Sequence, residues 1–204
     1  MGVKVGLTFS LSINITAQSP ATGTINGHEY VDLGLSVLWA TCNVGASSPS
    51  DYGDYFAWGE FQTKSEYTEE NSLTYGIIFY KYSYVFFDAA NMNWGWRMPT
   101  KAELEELVEK CTWEMTTIVE PLWGEIDAYK VTGSNGQSII LPCAGSERYN
   151  TIGLVGCRYW SSTPCDNNSE SYCLFGVGFG LPPSVFKMER YVGLSIRPVA
   201  DKTE

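Results

Sequence analysis

The side chains able to do chemistry are unevenly supplied in this chain of 204 residues, which has six cysteines and 23 carboxylates but a single histidine, His28. The cysteines are Cys42, Cys111, Cys143, Cys157, Cys165 and Cys173. None makes the C-x-x-C spacing that brings two thiolates to one zinc or one redox centre, and a lone imidazole leaves little for a mixed ligand set. The expectation is therefore no metal and no cofactor. The segment Tyr159–Phe175, YWSSTPCDNNSESYCLF, sets Cys165 and Cys173 among small polar residues with aromatics at both ends. It is open to four readings: a disulfide loop, a metal site, a catalytic cysteine pair or a ligand-holding surface.

Charge narrows the partners. The formal net charge is −10 and the isoelectric point near 4.6. Polyanion affinity comes from clustered Lys and Arg that release counterions, so nucleic acid and anionic membrane are not expected partners. The acids concentrate at Asp51, Asp54, Glu60, Glu66, Glu69, Glu70 and Glu103 to Glu109, whereas acids and bases balance from Tyr149 onward.

The elements that must position these groups follow from periodicity. Val3 to Thr16 alternates apolar and polar residues without a break, which predicts a strand and argues against a secretory core, since that would be continuously apolar. At roughly 45 Å it needs sheet partners. It is read as the remnant of an upstream β-domain, as a strand paired with another subunit, or as an edge added to the main domain. Residues 17–23 read as a linker, Asn26-Gly27 as a tight turn, and the main domain as 24–200. Ser47 to Glu70 is expected to be a long exposed loop around YFAWGE, and the aromatic run Tyr75 to Phe87 a buried or paired strand. PTKAELEELVEKC predicts a helix: Thr100 and Glu103 have the capping-box spacing, and Leu104, Leu107, Val108 and Cys111 form one apolar stripe. Tyr129, Val131, Ile139 and Leu141 flank a Ser-Asn-Gly turn and predict a hairpin. No stretch has transmembrane length and apolarity.

EYVDLGLSVLWATCNVGASSPSDYGDYFAWGE, WRMPTKAELEEL, NGQSIILPCAG, YWSST and GLSIRPV occur in the order seen in the Fibrobacter-type major paralogous domain. Over Ile25 to Val199 the chain resembles that family, within the wider set having a C-type-lectin-like fold of the formylglycine-generating-enzyme type. The resemblance implies an α+β fold with few helices, short strands and long loops. It also implies that the final GLSIRPV strand returns beside the first strand, and that the protein is extracellular or cell-surface bacterial, or part of a phage particle. Trp39, Trp58, Trp96 and Trp160 would be anchors, with Arg97 and Arg197 satisfying loop carbonyls. The chain departs from the family pattern in the shortened NWGWRMPT, in the aromatic run before Asp88, and in Cys143 of LPCAG, where alanine is usual.

A subset of this fold is diversified by retroelements in a C-terminal segment, and residues 157–192 look similar. On that reading the chain is a non-enzymatic recognition or adhesion module for a protein or glycan receptor. Tyr159, Tyr172, Phe175, Phe179, Leu181, Phe186, Met188 and Tyr191 would be its anchors, and Asp166, Asn167, Asn168 and Ser171 would add hydrogen bonds. The competing reading alternates part of this set into the core. The Glu-Pro-Asn, Gln-Pro-Asp and Trp-Asn-Asp motifs of calcium-dependent lectins do not occur, so bound calcium is not expected. The formylglycine-generating kinship raises a cysteine enzyme as an alternative. However, Cys165 and Cys173 are spaced more widely than that pair, and no His, Lys or Arg lies between them to lower a thiol pKa. A Cys165–Cys173 disulfide is the plainer expectation. A pilus or fibre tip subunit assembled through Val3 to Thr16 is the third class.

Overall fold

The computed structural model describes residues 18–77, 88–120, 122, 124–148, 151–153, 156–176 and 183–202. The predicted strand Val3 to Thr16, most of the aromatic run, and Phe179 and Leu181 lie outside them. The described residues form two helices and twelve strands, all sheet pairs being antiparallel, which gives an α+β or mostly-β architecture.

The first sheet runs β1-β2-β3-β12, from Gly23–Ile25, His28–Val31, Val37–Ala40 and Val199–Asp201. Asn26 and Gly27 both adopt positive φ, 51° and 81°, the requirement of a two-residue hairpin turn that twists with its strands. The C-terminal strand pairs with the third strand of the chain, Val199 opposite Trp39 and Asp201 opposite Val37. The preceding residues from Leu194 to Ile196 run through the interior, where Leu194 bridges Phe56 and Ser195 bridges Tyr159. Residues 18–22 are no free linker. Ser19 N–H donates to Ser138 O and Thr22 N–H to Tyr30 O, and Gln18 Oε1 accepts from Ile140 N–H. The stretch is held because it satisfies the backbone of an open strand edge.

Helix α1, Ala89–Trp94, is capped by the Asp88 carboxylate, which accepts from Ala90 and Asn91 N–H. Helix α2, Lys101–Lys110, carries the expected capping box, and its Leu104 and Leu107 are buried with Val108 and Cys111 packed beside them. A second sheet, β4-β5-β6, comprises Thr112–Glu120, Gly124–Thr132 and Ser138–Pro142. Its last hairpin turns at Gly136, φ 81°, with Thr132 opposite Ser138, as the Ser-Asn-Gly signal requires. A small hairpin, β7 (Ser146–Arg148) and β8 (Thr151–Gly153), precedes the third sheet, whose order is β11-β10-β9. Those strands are Cys157–Pro164 (β9), Glu170–Gly176 (β10) and Ser184–Glu189 (β11).

The main core lies where these layers meet: Val31, Trp39, Leu107, Tyr129, Ile139 and Leu174 draw on both helix and sheets. Ser47 to Glu70 has no strand, yet its aromatics are not exposed. Tyr52, Tyr55, Phe56, Trp58 and Tyr67 are all buried, so the loop closes the domain instead of decorating it. Burial of that much aromatic surface outweighs the polar residues between. Trp39, Trp58, Trp96 and Trp160 are buried, and the last three donate their indole N–H to Ser161, Ile25 and Phe56 carbonyls respectively.

The two framework arginines differ. Arg97 forks onto Glu103 at 2.7 and 2.8 Å, pairs with Asp201 and donates to one carbonyl, Met98 O. Arg197 is 1% exposed and donates to Asn43 Oδ1 and to the Ala40, Thr41 and Ile140 carbonyls at 2.7–3.0 Å. Removing it strands four buried acceptors. Arg197→Ala is expected to lower stability by about 3–5 kcal/mol, because each unsatisfied buried polar group costs on the order of 1–3 kcal/mol and neighbours relax only in part. Urea unfolding followed by circular dichroism measures it.

Candidate functional site

The third sheet carries the C-terminal segment, and its register sorts the candidate residues onto two faces. Side chains alternate along a strand, and directly opposed residues share a face. Tyr172 opposes Lys187 and Leu174 opposes Val185, a face that looks toward α2 and the main core. Ser171 opposes Met188, Cys173 opposes Phe186 and Phe175 opposes Ser184, with Arg158 and Trp160 of β9 opposite Phe175 and Cys173. This second face is buried at its Trp160–Cys173 end, within the cluster of Phe56, Trp58 and Leu194. It opens to solvent at Phe186 on the outer strand β11 and toward the half-buried Phe175.

At that open end Phe186 is 51% exposed, and its ring meets Phe175 edge to face at 5.7 Å. The Arg158 guanidinium lies 4.8 Å from the Phe175 ring centre, with Nη1 donating to Ser146 Oγ at 2.9 Å. Burial of this guanidinium lowers its pKa. Beside it Arg148 reaches Tyr191 Oη, Met188 Sδ and Glu189 Oε2, the last at 2.8 Å. On the other face Tyr172 sits between Lys101 Nζ at 5.1 Å and Lys187 Nζ at 5.9 Å.

Several sequence candidates prove to be interior. Tyr159 is 1% exposed; its hydroxyl donates to Pro142 O and accepts from Asn43 Nδ2. Ser171 is buried and accepts from Arg190 Nε, while Tyr191 is buried edge to face with Tyr75. Each faces a packed cluster because both sides of this sheet are partly covered. Met188 is half-buried against the second cluster. Asp166 and Asn167 are exposed and Asn168 half-buried at the β9–β10 turn. Asn167 Oδ1 accepts from the Ser169 and Glu170 N–H groups, so its amide builds the turn. Asn168 O accepts from Gly76 N–H.

The Cys165–Cys173 disulfide is not formed: both are free, buried thiols. The register explains it. Cys165 N–H donates to Glu170 O, so Cys165 lies opposite Glu170, while Cys173 opposes Trp160 further along. Three residues of strand amount to about 10 Å, more than the roughly 7 Å that a disulfide spans between Cα atoms.

The charged residues that shape the open face escaped the sequence reading. Arg158 and Lys187 enter the sequence reading only through the near-balance of charge from Tyr149 onward, and Arg148 stands just before it. Arg190 was not singled out at all, yet it ties the sheet to the closing loop. Its 1% exposed guanidinium lies 4.6 Å from the Trp58 ring and donates to the Thr74, Ile77, Asn167 and Glu170 carbonyls. A cleft of about 460 Å³ lies elsewhere, bordered by Asp51, Tyr52, Asp54, Glu120 and Leu122. Its Asp51 is occupied by Ser47 and Ser48, and Glu120 accepts from Leu122 N–H, so those acids hold loops. Among the described residues no three of His, Cys, Asp and Glu gather as a metal site. Comparison with protein-family models, curated proteins and solved structures returned no match.

Burial pushes the Cys173 thiol up to about 12. At about pH 8, near the ordinary thiol value, it therefore holds almost no thiolate. In the native chain iodoacetamide is expected to leave Cys173 unmodified, and to label it completely after guanidinium unfolding. Peptide mass mapping without reductant reads both that protection and the absence of a link to Cys165.

Proposed function

We propose that the chain is a non-enzymatic recognition or adhesion module of C-type-lectin-like fold, acting outside the cell, whose C-terminal sheet binds a protein or glycan ligand. The fold assignment rests on the motif order together with the arrangement those motifs adopt. The tryptophan anchors are buried, the C-terminal strand closes the N-terminal sheet, and Arg197 sits where the chain's irregular segments meet.

The observation that carries the functional reading is the exposure of Phe186 on a rigid strand. A large aromatic ring on an edge strand costs solvation unless something covers it. The chain holds it on a sheet whose Trp160 and Cys173, on the same face, are packed in the interior and whose β9–β10 turn is tied down by the Arg190 carbonyl contacts. A pre-ordered aromatic surface loses little entropy on association, and aromatic anchors dominate interface energies. Tyr172, flanked by Lys101 and Lys187, is a second half-exposed ring on the opposite face. The ligand is expected to engage the Phe186 side, where the ring is open.

Screening the biotinylated chain against a glycan array and a displayed peptide library tests this directly. Phe186→Ala is expected to weaken the recovered ligands by about tenfold or more, the usual loss on truncating an anchor. Its melting temperature should stay within about 2 °C, since exposed-site changes are nearly neutral for stability. Ligands indifferent to Phe186→Ala, or binding lost only together with the fold, would place recognition elsewhere.

A further inference from the structure

The open face carries an arginine, Arg158, that forms no ion pair among the described residues, although Glu189 lies near enough to favour its charge. Among the described residues Arg158 makes one hydrogen bond, Nη1 to Ser146 Oγ, and its buried Nε has no partner. It has no ion pair among the described residues, in a chain whose acids outnumber its bases by ten. The intervening connections, residues 149–150, 154–155 and 177–182, contain no Asp or Glu. Each other buried or half-buried arginine is served: Arg97 by two carboxylates, Arg148 by Glu189, Arg190 and Arg197 by fans of carbonyls. A guanidinium presents a planar fork of donors suited to two carboxylate oxygens, and a partly desolvated one gains most from such a partner. Here the fork lies over the Phe175 ring, which touches the exposed Phe186.

We infer that Arg158 receives a carboxylate, so that the ligand of the Phe175–Phe186 face is an acidic peptide segment with an apolar side chain next to its Asp or Glu. This rests on the recognition reading above and names its partner. The apolar neighbour covers Phe186 while the carboxylate meets Arg158, and Arg148, although paired with Glu189, adds positive potential from the adjacent hairpin. A peptide is favoured over a sugar acid by the strand that carries Phe186. β11 ends its sheet, and its outer edge pairs with no strand among the described residues. That leaves backbone donors and acceptors for an extended chain.

The test uses fluorescein-labelled peptides of alternating Glu and Phe, their Gln–Phe and Lys–Phe counterparts, and a sialylated oligosaccharide, titrated against the full chain by polarisation. The expected result is binding of the Glu–Phe peptide that weakens as salt is raised and falls about tenfold or more with Arg158→Gln, the loss typical of a charge-assisted pair. Arg158→Lys should retain part of it, and circular dichroism melts of both variants confirm that the fold persists. Equal binding of Glu–Phe and Gln–Phe, abolished by Phe186→Ala, would overturn the carboxylate assignment and leave the aromatic surface standing. Binding of the oligosaccharide alone, dependent on Arg158, would overturn the peptide assignment. Binding of no probe would overturn the inference and leave the array and library screen as the independent test of the face itself.

Discussion

The structure depends on a buried positive charge held by neutral oxygens. Arg197 collects the Ala40 and Thr41 carbonyls at the end of β3, the Asn43 side chain in the loop that follows, and Ile140 of β6. Those groups belong to two different sheets and to the loop between them, so one side chain sets how the first and second sheets meet. A carboxylate could neutralise the charge but could reach only one of these places. The guanidinium fork satisfies several carbonyls at once, in positions where irregular backbone would otherwise leave acceptors unpaired.

Arg190 repeats the device one layer away. It gathers carbonyls from Thr74 and Ile77, just after the closing loop, and from the β9–β10 turn over the face of Trp58. A domain with long segments lacking strands must satisfy their backbone by some other route, and here two arginines of the segment between β11 and β12 supply it. The same residues that close the interior therefore fix the third sheet, which carries the exposed ring of Phe186. Rigidity at the surface follows from hydrogen bonding underneath.

The chain's acidity sharpens the contrast at that surface. Its acids outnumber its bases only before Tyr149, where Asp51, Glu60 and Asp88 serve loops and a helix cap. The third sheet and its hairpin bring Arg148 and Arg158 together with the exposed aromatic pair. Charge and apolar area that look scattered in the linear chain become one patch, because antiparallel register places β9, β10 and β11 residues side by side.

Local chemistry determined a good part of the architecture by itself. Thr100 and Glu103 cap α2, Asn26-Gly27 turns the first hairpin and Gly136 the later one, because caps and positive-φ turns are decided by residues within a few positions of each other. The choice between inside and outside along residues 157–192 was not local. Alternation names which residues share a face, but both faces of the third sheet are covered at one end and open at the other. Tyr159 and Tyr191 accordingly went to the core, while Phe186, of the same chemical kind, stayed in water. The pairing of Cys165 with Glu170 in place of Cys173, and the placement of half-buried Arg158 over the Phe175 ring with no ion pair among the described residues, were likewise set by strand register. Register is fixed by contacts between residues far apart in the chain, and that information exists only once the sheets have packed.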